Sequence, residues 1–227
     1  MAGTLNPNIR LALWTNFTGW CHQAVILGYN EIIKNPLPYK EWEEEDISAA
    51  LFCALEGLSL VEEKRIVIVP EYTRYTEEIA TGKRKAKTAD RIDFMFSNWS
   101  QEKQMKYFGE AKNVSLKNWT KAIGTTVNAS SYRARYIKTG IDRLVFGKYS
   151  VIDGFLIGYL VNGVTKDNIL AINSLITRRG LPPVIGLIDN QKAICGHFDC
   201  YTSTNLKGAD KMILQHIFLE FDTVQPT

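Results

Sequence analysis

The clearest alternation of apolar and polar positions lies between residues 91 and 114. The second half of this stretch places Glu110 and Lys112 on one face of a β-strand, with small residues on the opposite face. A polar loop separates it from the first half, so the pattern predicts a β-hairpin. If the two strands pair as neighbours, Asp93, Glu110 and Lys112 converge on one patch. In the first half the side chains are expected to divide between two strand faces, with Ile92, Phe94 and Phe96 on one and Arg91, Asp93 and Met95 on the other.

Other stretches have the periodicity of helices. A first helix is predicted from about Asn16 to Ile33, because Asn16 can cap it and Pro36 ends it. Two later helices are predicted, at Val127–Phe146 and at Asn168–Arg178. Between the first helix and these two, a further helix has its apolar positions at helical spacing: Ile47, Ala50, Leu51, Ala54, Leu55 and Leu58.

Several shorter stretches are predicted to be strands. Arg65–Pro70 is β-branched, and Asp153–Val161 is nearly all apolar, as expected of a buried central strand. Two late strands are predicted around Val184–Ile188 and Lys192–Phe198, and a final helix or strand at Met212–Phe221. This order of elements predicts an α/β fold: a single domain with a mixed central sheet and helices on both faces.

Composition limits the possibilities only broadly. A chain of 227 residues suits one domain, and a net charge of +3 means that nucleic acid would have to bind at local basic patches. No apolar stretch reaches the roughly 18 residues that span a bilayer. No signal peptide is visible and the four cysteines form no dense framework, so we expect reduced thiols in the cytoplasm.

Cys195, His197 and Cys200 are residue types that bind zinc. Their spacing matches neither a CxxC pair nor a zinc finger, so we interpret them as packing residues. The same interpretation applies to Cys21 and His22 in the first helix.

Asp93 on one strand, followed by Glu110-Ala111-Lys112 on the next, resembles the arrangement of the PD-(D/E)xK nuclease superfamily. The resemblance covers about residues 40–162 and implies a restriction-endonuclease-like core. Residues 165–227 would be a C-terminal elaboration of it. The competing interpretation is that Glu110 and Lys112 are only the solvated face of an amphipathic strand.

The resemblance implies a site for Mg²⁺ or Mn²⁺. Asp93 and Glu110 would be metal ligands, with the carbonyl of Ala111 as a further one, because Mg²⁺ binds a few carboxylate oxygens together with water. Lys112 would orient the attacking water or stabilise the developing negative charge. Asp90 competes with Asp93 for the metal, but apolar residues follow Asp93 at alternate positions and favour it.

Many members of the superfamily also carry an acid on the helix before the first core strand. Glu44 is the preferred candidate because it lies at the edge of the inward helix face, whereas Glu45 projects away from that face. Glu71, directly after the first strand, could also reach the site. These acids near the helix start equally suit the helix dipole.

Basic residues are the candidates for binding substrate. Arg133 or Arg143, on the helix after the ExK strand, would correspond to the residue that the resembled family often brings toward its substrate. A basic cluster before the first hairpin strand could hold a phosphate backbone or could simply be a solvated loop: Lys83, Arg84, Lys85 and Lys87.

The function implied by the resemblance is a metal-dependent nuclease acting on DNA. By family analogy it would be the effector subunit of a bacterial anti-phage defence or restriction system, held by a partner such as an ATPase or helicase. One alternative is a catalytically inactive subunit of the same fold that binds nucleic acid or assembles with a partner. Another is an RNA-directed nuclease.

Overall fold

A computed structural model of the chain describes residues 6–35, 37–75, 77–83, 85, 87, 89–100, 103–146 and 154–222. The helices are α1 (Pro7–Ile32), α2 (Glu44–Glu56), α3 (Ser59–Glu63), α4 (Glu77–Ala80), α5 (Ala129–Arg135), α6 (Asp142–Val145) and α7 (Thr165–Arg178). A 3-10 turn precedes α2 (Tyr39–Glu41), and a π-helical turn joins α5 to α6 (Tyr136–Ile141). The strands are β1 (Val67–Arg74), β2 (Asp90–Ser100), β3 (Lys103–Ser115), β4 (Trp119–Thr120), β5 (Thr126–Val127), β6 (Gly154–Asn162), β7 (Cys200–Lys207) and β8 (Asp210–Glu220).

Six of these strands form one mixed sheet in the order β1-β2-β3-β6-β8-β7. The first three form an antiparallel meander, β6 runs parallel to both β3 and β8, and β7 is antiparallel to β8. Strands β4 and β5 form a separate small hairpin. The predicted α/β fold with a mixed sheet between helices is therefore confirmed.

The core lies on both faces of this sheet. Helices α1 and α2 cover one face, where Phe94 and Phe155 are buried, and α5, α6 and α7 cover the other, where Leu156 and Leu160 are buried. Neighbouring residues of β6 thus enter opposite halves of the core, which explains why the sequence of this strand is apolar throughout.

Helix α1 begins earlier than predicted. The side chain of Asn6 accepts a hydrogen bond of 2.9 Å from the backbone N–H of Asn8, and Pro7 takes the first helical position. These residues therefore cap the helix, and Asn16, the predicted cap, lies inside it.

The central hairpin differs from the prediction in two ways. Its strands extend into the stretch predicted as a polar loop, with β2 ending at Ser100 and β3 beginning at Lys103. Ile92 also packs on the opposite side of the sheet from Phe94 and Phe96. The regular sheet is interrupted on both sides of β2 at this point. In β1 the backbone of Glu71 has φ 46°, and the pairing of β2 with β3 ends at Phe94.

The C-terminal third was predicted least well. The prediction of strands at Val184–Ile188 and Lys192–Phe198 is wrong. The structure describes every residue from 184 to 198, and these residues form only isolated β-bridges. Positive φ angles at Asn190 and Cys195 turn the backbone there. The final stretch is a strand, and β8 lies directly beside β6, so residues after 165 complete the central sheet.

The other elements that the sequence predicted agree with their predicted positions to within a few residues. The predicted helix Val127–Phe146 is present as α5, the π-helical turn and α6, although Val127 itself belongs to β5. Within the described part of the chain, none of the helices has the length and apolar character needed to cross a membrane.

Candidate active site

The candidate site forms where β2 and β3 separate. The ladder between these strands ends at the pair Phe94–Gly109. Beyond it, the carboxylate of Asp93 accepts a hydrogen bond of 2.7 Å from the backbone N–H of Ala111. A side chain therefore replaces the missing ladder bond and fixes Asp93 against β3.

The ammonium of Lys112 lies at the centre of the site. Its Nζ is 2.7 Å from Oε1 of Glu44, 3.2 Å from Oδ2 of Asp93 and 3.4 Å from Oε2 of Glu110. It also donates a hydrogen bond to the carbonyl of Ala111. The structure thus brings together the five residues that the sequence singled out for catalysis and metal binding.

Glu110 is the most deeply buried member of this cluster. Its side chain has no exposed surface, and its carboxylate accepts hydrogen bonds of 3.1 and 3.3 Å from Nη1 of Arg143. Burial, followed by the nearby charge of Asp93, raises the pKa of Glu110 to about 8, although Lys112 and Arg143 oppose the shift. Three carboxyl groups and two cations meet here, so their charges balance while Glu110 is protonated, and an excess of negative charge develops only when Glu110 loses its proton.

The same surroundings also shift the pKa values of Lys112 and Glu44. Burial alone would lower the pKa of Lys112, but the carboxylates of Asp93, Glu44 and Glu110 raise it above its usual value. Burial raises the pKa of Glu44, and Lys112 partly offsets that rise. Lys112 therefore stays charged at neutral pH, and the pKa of Glu110 lies close to neutrality.

Glu44 is held in place by its own helix end and by β3. It is the first residue of α2, and its Oε2 accepts a hydrogen bond of 3.2 Å from the backbone N–H of Asn113. The residue before it, Glu43, caps the helix reciprocally with Asp46. This cap directs Glu44 toward the site.

A second lysine anchors the approach to α2. Lys121, in the loop between β4 and β5, is buried and its Nζ donates to the carbonyls of Glu41 and Trp42 at 2.9 and 3.1 Å. It also lies 2.7 Å from a carboxylate oxygen of Glu43. Lys121 therefore positions the segment that presents Glu44, and no sequence motif indicated this long-range contact.

The helical segment above the site approaches the sheet closely at Gly140, in the π-helical turn. A Cβ at Gly140 would lie 2.7 Å from Cδ2 of Leu156 and 3.6 Å from Cγ of Lys112. Only glycine allows this close approach without displacement of the neighbouring side chains. Single turns of π-helix are frequent at functional sites, and this one lies directly over Lys112.

A cleft of about 420 Å³ opens beside the cluster. Its lining includes residues of β3 and of the helical segment that were not among the predicted site residues: Asn113, Tyr132, Arg135 and Thr139. Three of them recur at spacings of three and four residues, which puts them on one face of the helical segment. The rest of the lining consists of Glu43, Glu44, Glu45, Asp93, Lys112 and Arg143.

Several predicted site residues lie elsewhere. Lys83, Lys85 and Lys87 are exposed and do not line the cleft, and Arg84 lies outside the described residues. Arg133 points to the other side of α5, where its Nη1 donates to the carbonyls of Ser115 and Leu116. Position along the chain next to β2 or β3 did not determine position relative to the cleft.

Two of the competing acids, Glu71 and Glu45, differ from Glu44 in their surroundings. Glu71 is exposed and lies 3.9 Å from Arg91, an ion pair outside the cleft lining. Asp90 begins β2 opposite Arg74, three residues from Asp93. Glu45 lines the cleft but is exposed, whereas Glu44 contacts Lys112.

The oxygen donors suit a hard divalent cation chemically. Two carboxylates and one main-chain carbonyl are ligands that Mg²⁺ and Mn²⁺ accept, and a bound cation would favour loss of the Glu110 proton. In the arrangement described, however, these oxygens contact the ammonium of Lys112. Within the described residues, no group of three or more His, Cys, Asp or Glu side chains is arranged to hold a metal ion.

The cysteine- and histidine-containing segment is separate from this site. Cys200 is buried, as expected of a packing residue, but Cys195 is exposed, so its predicted packing role is wrong. His197 donates a hydrogen bond of 2.7 Å to the carbonyl of Phe218.

Comparisons of the chain with protein-family models, with curated proteins and with solved structures find no match.

Proposed function

We propose that this protein is a metal-dependent nuclease that hydrolyses phosphodiester bonds of DNA. The observation that carries the proposal is the meeting of Asp93, Glu110 and Lys112 at the point where two strands separate. A solvated strand face would leave Glu110 and Lys112 in water. Instead, Glu110 has no exposed surface and the Lys112 side chain is only 7% exposed.

Burying so many charged groups costs desolvation free energy. Each ion removed from water costs several kcal/mol, and mutual attraction offsets this cost only with good geometry. Burial and the nearby charge of Asp93 raise the pKa of Glu110, and strongly shifted pKa values beside a cleft are typical of functional sites. The cluster therefore supports a catalytic role better than a structural one.

The residues have distinct proposed roles. Asp93, Glu110 and the carbonyl of Ala111 would hold Mg²⁺ or Mn²⁺, which lowers the pKa of bound water and neutralises charge on the phosphate. Lys112 would donate hydrogen bonds to the attacking water or to the developing negative charge. Arg143, which bonds Glu110 at the cleft, is well placed to meet a phosphate oxygen as well.

One observation favours a second function. The ammonium of Lys112 already neutralises much of the negative charge of the carboxylates that would hold the metal. A catalytically inactive subunit of the same fold, which binds nucleic acid or assembles with a partner ATPase or helicase, would retain such an ion-paired cluster. Metal binding separates the two functions, because only the enzyme needs it.

The cellular setting is proposed by analogy with the resembled superfamily. The protein would act in the cytoplasm as the effector of a bacterial anti-phage defence or restriction system, with a protein partner to target or restrain it. An RNA substrate would use the same metal chemistry, so substrate preference has to be measured directly by comparing duplex DNA with single-stranded RNA.

The direct test is cleavage of plasmid DNA by the purified protein with Mg²⁺ or Mn²⁺. We expect nicking that EDTA abolishes and that Lys112→Met and Glu44→Gln reduce strongly. Glu56→Gln is the matched control for Glu44→Gln, because Glu56 is an exposed acid at the far end of the same helix. Cleavage that persists at the same rate in Lys112→Met would refute the proposed site.

A further inference from the structure

A second cavity lies on the opposite side of α5 from the cleft. It is a groove of about 340 Å³ between α5 and α7. Helix α5 provides Ser130 and Arg133, and the rest of the lining comes from one face of α7: Ala171, Ser174, Leu175 and Arg178. We call this cavity the α5–α7 groove.

The polar groups that line the α5–α7 groove are all hydrogen-bond donors toward an anion. They comprise two guanidinium groups and two hydroxyl groups, and none of the lining residues is acidic. Ala171 and Leu175 complete the lining with apolar surface. Because it has two guanidinium charges and no acidic side chain, this lining attracts an anion and repels a cation.

Arg133 is held so that part of its guanidinium remains available. Its Nη1 donates to the carbonyls of Ser115 and Leu116, and these hydrogen bonds fix the side chain against the end of β3. Partial burial lowers the pKa of this guanidinium. The carbonyls hold the group without neutralising it, because neither carries a full charge.

Arg178 supplies the second charge. Among the residues that the structure describes, neither Arg178 nor the hydroxyl groups of Ser130 and Ser174 have a hydrogen-bond or ion-pair partner. Arg178 also stands in the last turn of α7, so its charge suits the helix dipole as well. The helix dipole does not explain why Arg133 and the hydroxyl groups of Ser130 and Ser174 line the same groove.

We propose that the α5–α7 groove binds a phosphate group at a site separate from the cleft. Two planar guanidinium groups with two nearby hydroxyl groups match the oxygens of a phosphate, which accept several charge-assisted hydrogen bonds at once. The phosphate belongs either to a nucleic-acid backbone or to a free phosphate compound. The backbone source rests on the proposed nuclease function, whereas the anion site itself does not.

Two measurements distinguish these sources. The first is binding of labelled oligonucleotides in EDTA, followed by fluorescence anisotropy over a series of salt concentrations, for wild type, Arg178→Gln and Lys166→Gln. Lys166 is the matched control because it is an exposed cation at the other end of α7, outside the groove. The second titrates inorganic phosphate and follows the Nε–H signals of Arg133 and Arg178 by NMR.

If the groove holds a backbone phosphate, Arg178→Gln should weaken binding and reduce the slope of log K against log salt by about 0.7–0.9, while Lys166→Gln leaves both unchanged. If the ligand is a free phosphate, the slope stays the same, but both arginine signals shift saturably and the Arg133 response is lost in Arg178→Gln. An unchanged slope together with no saturable shift would overturn the proposal.

The nuclease function is judged separately, by metal-dependent cleavage and its loss in Lys112→Met. Cleavage without any effect of Arg178→Gln in either binding measurement would refute the groove alone. Saturable phosphate binding by a protein that neither cleaves DNA nor binds metal would refute the nuclease alone.

Discussion

Glutamine in place of Glu110 should remove a specific pH dependence of stability. Burial and the charge of Asp93 raise the pKa of Glu110 in the folded protein from the usual 4.5 to about 8. Between these two values the unfolded chain releases a proton that the folded protein retains. The unfolded state therefore binds fewer protons, and the free energy of unfolding falls as the pH rises through this window.

The size of the effect follows from the pKa difference. Moving one carboxyl from 4.5 to about 8 corresponds to about 5 kcal/mol of unfolding free energy. Glu110 has no exposed surface, so solvent screening does not reduce this value in the way that it does for surface charges. A neutral glutamine has no proton to exchange, so Glu110→Gln should lack this contribution at every pH.

The assay is urea unfolding in EDTA at a series of pH values from about 5 to 9, followed by circular dichroism, for wild type and Glu110→Gln. EDTA keeps metal from binding to the carboxylates. The unfolding free energy of wild type relative to Glu110→Gln should fall progressively with rising pH, by about 4 kcal/mol between pH 5 and 9. Parallel pH profiles for the two proteins would refute the assignment of Glu110 as a buried carboxyl that is protonated below neutrality.

Three further perturbations test other parts of the structure by the same unfolding assay. Lys112→Met leaves the surrounding carboxylates without their shared cation and should cost about 3–5 kcal/mol of stability; a loss under 1 kcal/mol would contradict the buried cluster. Lys121→Met should cost about 2–3 kcal/mol and also slow DNA cleavage, because it releases the start of α2, while Lys117→Met on the exposed surface should change neither. Gly109→Ala would bring a Cβ within 2.4 Å of a phenylalanine ring and should cost about 1–3 kcal/mol, whereas Gly19→Ala, with no atom within 4 Å, should stabilise α1 by about 0.5–1 kcal/mol. Equal effects of the two glycine substitutions would show that packing does not distinguish these sites.

The hairpin and its cluster could be predicted because they depend on local rules. Strand alternation puts Glu110 and Lys112 on one face whatever surrounds them. Their meeting with Asp93 required only that neighbouring strands pair, which consecutive strands usually do. Glu44 was a harder choice, and the helix periodicity was sufficient to separate it from Glu45.

The sequence did not predict which helix residues line the cleft, because their position depends on where α5 packs. Tyr132, Arg135 and Thr139 share a helix face in the sequence, but only the packing of that face shows that it borders the acids. The position of the basic loop relative to the cleft depends on packing in the same way. Its lysines are near the hairpin along the chain and are not part of the cleft.

Strand β7 escaped prediction because its inward side chains are polar. Ser203 and Asn205 are completely buried, and the hydroxyl of Ser203 lies 2.8 Å from Nε2 of His216. The other ring nitrogen of His216 lies 2.8 Å from the hydroxyl of Tyr136. Hydrogen bonds between distant segments satisfy these groups, so the strand can be buried without the apolar alternation that identifies a strand in a sequence.

The measurement that tests the central claim most directly is a calorimetric titration of the metal-free protein with Mn²⁺. It needs neither a substrate nor an activating partner. We expect saturable binding in wild type and in Glu56→Gln, and no binding in Glu110→Gln, because the buried carboxylate is a principal ligand of the proposed metal. The absence of binding in folded wild-type protein, or equal binding in Glu110→Gln, would contradict a metal-dependent nuclease at this site.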